Sequence, residues 1–279
     1  MVWCGGAVYF CEKILHNNKK TQGNNGVTNM KKAFTLAEVL IVIGIVGIIA
    51  AMTLPSLLLH IRNYRLKAQF MKTYSDLNQI AQRFYSDYGT SVSIYTQRTR
   101  GKDEDLSANW QTFVHKIFPA YFNSLTKDGG ISTSQSYLEQ VHTVHDMLGR
   151  KTTNVCDNSG FKVDLSGRYY IFNDSPYPGD NGPIVCVDIN GKQGPNRYGY
   201  DYFIFIFTTK GTVIPMGYPD EDNTSDTRWQ YNFFRTGAEF CQKNAGYLNQ
   251  TACSYYAYKN IHPTNDKLDY WNDFLSGRK

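Results

Sequence analysis

The chain has 279 residues, with 29 Lys and Arg against 24 Asp and Glu for a formal charge of +5. That excess is local, because residues 1–33 hold five lysines and one glutamate, leaving 24 basic against 23 acidic residues from 34 onward. A near-neutral remainder disfavours a nucleic-acid partner, which would need a clustered basic surface, and its 246 residues suit one globular domain behind a helix.

Residues 1–29 are Gly/Asn/Lys-rich and only briefly apolar, around Ala7 to Phe10. Met30 is the better start, so this stretch reads as the product of an upstream start codon, with a long leader as the rival. On either reading Cys4 and Cys11 stand outside the folding chain. Next come Lys31, Lys32 and Ala33, then Phe34-Thr35-Leu36-Ala37-Glu38 and an apolar run. From Val39 to Leu59 the polar side chains are Thr53 and Ser56 alone, and a hydrocarbon core needs about 20 helical residues. The positive flank places the leader on the cytoplasmic side. Glu38 at the front edge of such a span calls for a cation. An ordinary secretory signal is cut after its apolar region, whereas the small residue here precedes it. Cleavage between Ala33 and Phe34 would retain the span and create an α-ammonium one helical turn from Glu38. The plain alternative is an uncleaved single-pass anchor in which Glu38 caps the helix dipole.

The run Lys31-Lys32-Ala33 followed by Phe34-Thr35-Leu36-Ala37-Glu38 resembles the signal of type IV prepilins and type II secretion pseudopilins, where a dedicated peptidase cuts before Phe and methylates the new amine. Pro55 falls at the twenty-second place counted from Phe34, where that family commonly has a proline. Ala33 replaces the commoner Gly and Ala37 a bulkier aliphatic, and the resemblance covers residues 31 to about 60. It implies N-methylation of Phe34, assembly through Glu38, Gly44, Gly47 and Pro55, a prepilin peptidase, other pilin or pseudopilin subunits and membrane lipid as partners, and a head outside the cytoplasm. Gly44, Gly47 and Ala51 put small residues on one side of the span, and Pro55 removes the bond to the Ala51 carbonyl.

Leu66, Phe70, Tyr74, Leu77, Ala81, Phe84 and Tyr88 recur at intervals of three and four, the stripe of an amphipathic helix, and Gly89 is a fitting stop. The organisation expected is a leader over 1–33, a transmembrane and assembly helix over 34–59, its amphipathic continuation over 60–89 and a head over 90–279. Residues 90–105 read as a polar loop. Trp110, Phe113, Val114, Ile117, Phe118 and Tyr121 read as a short helix interrupted by Pro119, with further helices over 137–148 and 229–245. Strand-like runs cover 161–165, 168–172, 184–188, 201–207 and 212–216, separated by Gly/Asn/Pro turns, which predicts an antiparallel meander. A long helix followed by such a sheet is α+β, and this order resembles the pilin head. The tail from Cys253 resists assignment.

Four cysteines remain, Cys156, Cys186, Cys241 and Cys253, an even number in a domain outside the cytoplasm, so two disulfides are expected. Of three connectivities, Cys156–Cys186 with Cys241–Cys253 closes local segments. Free thiols are the alternative, and neither pair has zinc-finger spacing. The loop from Asp188 to Asp201 is rich in oxygen donors, but Lys192 and Gly199 stand where EF-hand ligands belong. Some major pseudopilins hold a structural calcium beside the sheet, so Asp188, Asn190 and Asp201 are a candidate metal set against a turn in which Asp and Asn bond their own backbone. No other cofactor is implied. His142 and His145, with Asp146, would share a helix face, yet no third ligand, HExxH or nucleophile–base pair accompanies them. A structural subunit is therefore expected rather than an enzyme. A tip adhesin or DNA-binding pilin, using the abundant aromatics as stacking platforms, and a membrane-anchored enzyme are the alternatives.

Overall fold

A computed structural model describes residues 35–98, 107–122, 142–157, 159, 161–219 and 240–277. Helix α1 spans Leu36–Tyr88 and continues through Pro55. It stops at Gly89, whose φ of +68° is a conformation glycine adopts without penalty and whose N–H reaches the Tyr85 carbonyl at 2.9 Å. The described chain falls into two compact units that divide within α1, after Met52.

In the first unit the large apolar side chains of α1 are exposed, from Leu36 to Met52. In the second unit α1 buries Leu66, Phe70, Leu77, Ala81 and Phe84, five of the seven stripe positions. Tyr74 is half-buried and Tyr88 is exposed. This stripe packs on a five-stranded antiparallel meander of β1 (Phe161–Val163), β2 (Tyr169–Phe172), β3 (Ile184–Asp188), β4 (Tyr202–Phe207) and β5 (Val213–Pro215), in that order across the sheet. The fold is α+β, a long apolar N-terminal helix with an antiparallel sheet.

Both faces of the sheet are covered, which is why β4 reads Tyr-Phe-Ile-Phe-Ile-Phe without polar alternation. Strand side chains alternate between faces. Phe203, Phe205 and Phe207 therefore join Phe70, Phe84 and Trp271 on one side, while Tyr202, Ile204 and Ile206 join Ile171, Cys186 and Tyr198 on the other. Phe70 sits edge-on to Phe203, ring centroids 4.7 Å apart, and Phe113 stands edge-on to Phe84, Phe172 and Phe207. Edge-to-face pairs add to the burial of rings that are already fully enclosed.

Polar contacts fix α1 to the sheet. Arg168, at the β1–β2 turn, donates to Asp164 at 2.6 Å, Asp76 at 2.7 Å and Thr73 at 3.0 Å. The Asn78 amide takes both backbone groups of Val213, accepting its N–H at 2.9 Å and donating to its carbonyl at 3.3 Å. At the opposite edge Lys162 of β1 is 2% exposed, its ammonium 3.1 Å from His115 Nδ1.

Other elements depart from the sequence reading. Within the expected loop over 90–105, helix α2 (Val92–Tyr95) forms because the Ser91 hydroxyl accepts the Ile94 N–H and buries Val92. Helix α3 (Ala108–Thr112), a π-helical turn over Phe113–Ile117 and helix α4 (Phe118–Phe122) follow without a break. Pro119 does not end this segment. The wider turn just before it changes the bonding pattern where a proline would leave a carbonyl without its partner. The expected helix over 137–148 is not helical in its described part: residues 142–150 are irregular, with an isolated bridge at His145 and a turn at 147–148 in which the Asp146 carboxylate accepts the N–H groups of Leu148 and Arg150. Residues 240–245 are likewise a turn, and residues 229–239 lie outside the described residues. The tail holds α5 (Tyr247–Gln250), α6 (Cys253–Lys259) and a π-helical turn over Tyr270–Phe274 whose Trp271 is fully buried.

Candidate functional site

Thr35 and Glu38 build the start of α1. The Glu38 carboxylate accepts the Thr35 N–H at 2.8 Å and its hydroxyl at 2.9 Å, while the Thr35 hydroxyl accepts the Glu38 N–H at 3.2 Å. This is a capping box, in which residues three apart satisfy helix donors that have no partner within the helix. The Thr-x-x-Glu spacing is its sequence signal. Ala33 and Phe34 lie outside the described residues. At Gly44 and Gly47 a Cβ would meet nothing within 4 Å, so both positions leave the helix surface open, and Pro55 lies within α1.

Both disulfides are local. Cys156 joins Cys186 at 2.07 Å across 30 residues, and Cys241 joins Cys253 at 2.08 Å across 12. The first ties β3 to the segment that covers the second sheet face, and the second ties the start of α6 to the turn before α5.

The loop from β3 to β4 brings Asp188, Asn190 and Asp201 together. Asp188 and Asp201 are fully buried. Asp188 Oδ1 accepts the N–H groups of Asn190 and Gly191, at 3.1 and 2.9 Å, and its Oδ2 lies 2.6 Å from His142 Nε2. Asp201 Oδ1 accepts the Arg197 N–H at 2.6 Å, and its Oδ2 accepts the Asn196 N–H at 3.0 Å and the Asn190 amide at 3.1 Å. The same amide donates to the Gly194 carbonyl. Every oxygen of both carboxylates thus faces an N–H or ring nitrogen, and the Asn190 amide nitrogen stands between two of the oxygens a cation would use. Among the described residues no group of three His, Cys, Asp or Glu side chains could hold a metal, while the side-chain oxygens of Asn190 and Asn196 are buried without a hydrogen-bond partner. What the loop builds is a braced turn. Gly191 is required in it: its φ is +64°, and a Cβ would lie 2.0 Å from the Gly167 carbonyl.

Burial pushes the Asp201 carboxyl up to about 6, with the neighbouring Asp188 charge adding to the effect against three N–H donors. Burial likewise raises Asp188, opposed by its bond to His142. The His142 ring lies against Tyr169 and Tyr202, at 5.3 and 5.7 Å between centroids. His145 and Asp146 do not join this pair; Asp146 closes its own turn through Arg150 at 2.6 Å. The His142–Asp188 contact links residues 46 apart, and no local spacing announces it.

Residues 28–54 match the prokaryotic N-terminal methylation motif, the type IV pilin and pseudopilin signal. The match covers about a tenth of the chain and includes Thr35, Glu38, Gly44 and Gly47, whereas the disulfides and the β3–β4 loop lie beyond it. No curated protein and no solved structure matches the chain.

Proposed function

We propose that the chain is a structural subunit, cut between Ala33 and Phe34 by a prepilin peptidase, N-methylated on Phe34 and polymerised through α1 into a type IV pilus or a type II secretion pseudopilus. The methylation motif supports a pilin-like precursor and points to a structural protein rather than an enzyme. The helix it opens is long and apolar enough to cross a membrane, with its most apolar stretch wholly exposed. Before assembly the subunit sits in the cytoplasmic membrane with its disulfide-bonded head outside.

The observation that carries this reading is Glu38 at the front of an apolar run, where an unpaired carboxylate is penalised. In the isolated subunit Thr35 occupies that carboxylate. During assembly the Phe34 ammonium of a neighbour takes it, a charged pair in low dielectric being favoured over either charge alone. Mass spectrometry of the mature N-terminus tests processing: N-methyl-Phe34 is expected, and an intact Met1 or Met30 overturns the account. Assembly is tested by Glu38→Gln, because glutamine keeps the capping bonds and removes the charge. The variant should be inserted and cleaved but excluded from filaments, and incorporation at the unaltered level would refute charge pairing.

A further inference from the structure

Between Glu38 and Asp76 the sequence contains no carboxylate, and its charge gathers just past the apolar run, at Arg62, Arg65, Lys67 and Lys72, with His60 before them. Lys72 is neutralised by Asp76 at 2.5 Å. The others have no acidic partner among the described residues. His60, Arg62 and Arg65 are exposed, and Tyr64 among them is 76% exposed. Arg62 is held but not neutralised: its guanidinium stands 5.1 Å over the Tyr200 ring and donates to the Tyr200 hydroxyl.

Arg62 and Arg65 lie three and six residues beyond Leu59, about 5 and 9 Å along a helix rising 1.5 Å per residue. That is the depth of a headgroup layer if the apolar run spans the hydrocarbon. Tyrosine is enriched at that depth because its ring suits the acyl boundary and its hydroxyl the water. Basic residues concentrate on the cytoplasmic side of a span, so uncompensated arginines on the head side call for an anion supplied there. Guanidinium groups bind phosphate oxygens in bidentate fashion.

We propose that Arg62 and Arg65, with Tyr64 between them, form a collar that binds the phosphates of anionic phospholipid at the head-side surface of the membrane. Tyr200 reaches Arg62 within the same compact unit and so helps hold that guanidinium in place. This inference rests on the membrane-anchored reading of α1, and its failure is separable from failure of that reading.

The test uses the full chain in mixed micelles of detergent, phosphatidylcholine and phosphatidylglycerol, with the retained lipids quantified by mass spectrometry after purification. Unaltered protein should retain phosphatidylglycerol in preference. The preference should fall on the order of fivefold for each arginine removed, in Arg65→Gln and again in Arg62→Gln/Arg65→Gln, while Arg65→Lys keeps most of it. Arg65 touches no described side chain through a hydrogen bond or ion pair, so Arg65→Gln should fold, as far-UV circular dichroism will show. Excess inorganic phosphate separates lipid from free anion: retention that survives it supports the collar, and complete displacement overturns the lipid assignment. An unchanged preference in the double variant overturns the inference. Carbonate extraction of cell membranes reports separately on anchoring, since a chain that stays inserted without lipid preference refutes the collar alone.

Discussion

Replacing Arg168 by methionine should release α1 from the β1–β2 turn. The side chain is 9% exposed and binds Asp164, Asp76 and Thr73 together. Removing one partner of a buried ion pair costs about 3–5 kcal/mol, because it leaves charge buried without compensation. Two features put this case at the lower end. Asp164 keeps the Ser166 hydroxyl and the N–H groups of Ser166 and Arg168, and Asp76 keeps Lys72. About 3 kcal/mol is therefore expected, equivalent to a fall in Tm of about 6–12 °C for a domain of this size. Urea unfolding of the full chain in detergent, followed by tryptophan fluorescence, measures it, since Trp110 and Trp271 are both in the core. The pH dependence supplies a second check. Burial pushes the Asp164 carboxyl up, but the Ser166 hydroxyl and the Arg168 charge outweigh it and hold the group below the usual range. A depressed folded value means the contribution is fully present above about pH 4 and is lost as pH falls through the folded value. The deficit of Arg168→Met should shrink over that same acid range. A loss under about 1 kcal/mol near neutral pH would refute the reasoning, as would additivity with Asp76→Asn, since residues in direct contact should couple.

Two further outcomes follow from the head. In the chain-entropy account, reducing the 12-residue and 30-residue disulfide loops removes roughly 3 and 3.5 kcal/mol respectively, so Cys241→Ser/Cys253→Ser should unfold at lower urea than the unaltered chain; equal midpoints would contradict this. Asp201 titrates in the opposite sense to Asp164: its folded value of about 6 lies above the unfolded one, so ionising it costs stability, roughly 2–3 kcal/mol lost as pH rises from about 4 to 6. A carboxyl carbon NMR titration should place its midpoint near 6, and a midpoint below 4 would show that the three N–H donors outweigh burial.

The sequence made visible what spacing encodes. The stripe from Leu66 to Phe84 announces a helix face by its 3.6-residue period, and the short apolar run from Ile184 to Asp188, bounded by turn residues, announces a buried strand, because both are local properties. The five strands appear at their expected bounds or one or two residues inside them. Contacts between distant segments left no such mark. His142 and Asp188 meet only because β3 and the preceding segment fold together, and Tyr270 and Trp271 enter the core from a tail without periodicity. Asp188, Asn190 and Asp201 do converge, but sequence lists oxygens without saying which N–H groups already face them. The expected helix around His142 and His145 fails because Asp146 spends its carboxylate on a turn, a choice that short polar side chains make against helix. The capping box of Thr35 and Glu38 was not read from the sequence, although its three-residue spacing is a local signal.

A sheet edge is a template on which another chain can add a strand, and subunits packed side by side at high local concentration would be at risk of fusing that way. Among the described residues both edge strands of the sheet are short. Strand β5 is three residues long and ends on Pro215, and the Asn78 amide already occupies both backbone groups of Val213. Strand β1 is equally short, with the Lys162 ammonium already buried beside His115. In the filament proposed above, cross-β fusion at the β5 edge would be opposed by Asn78, the same residue that ties α1 to the sheet.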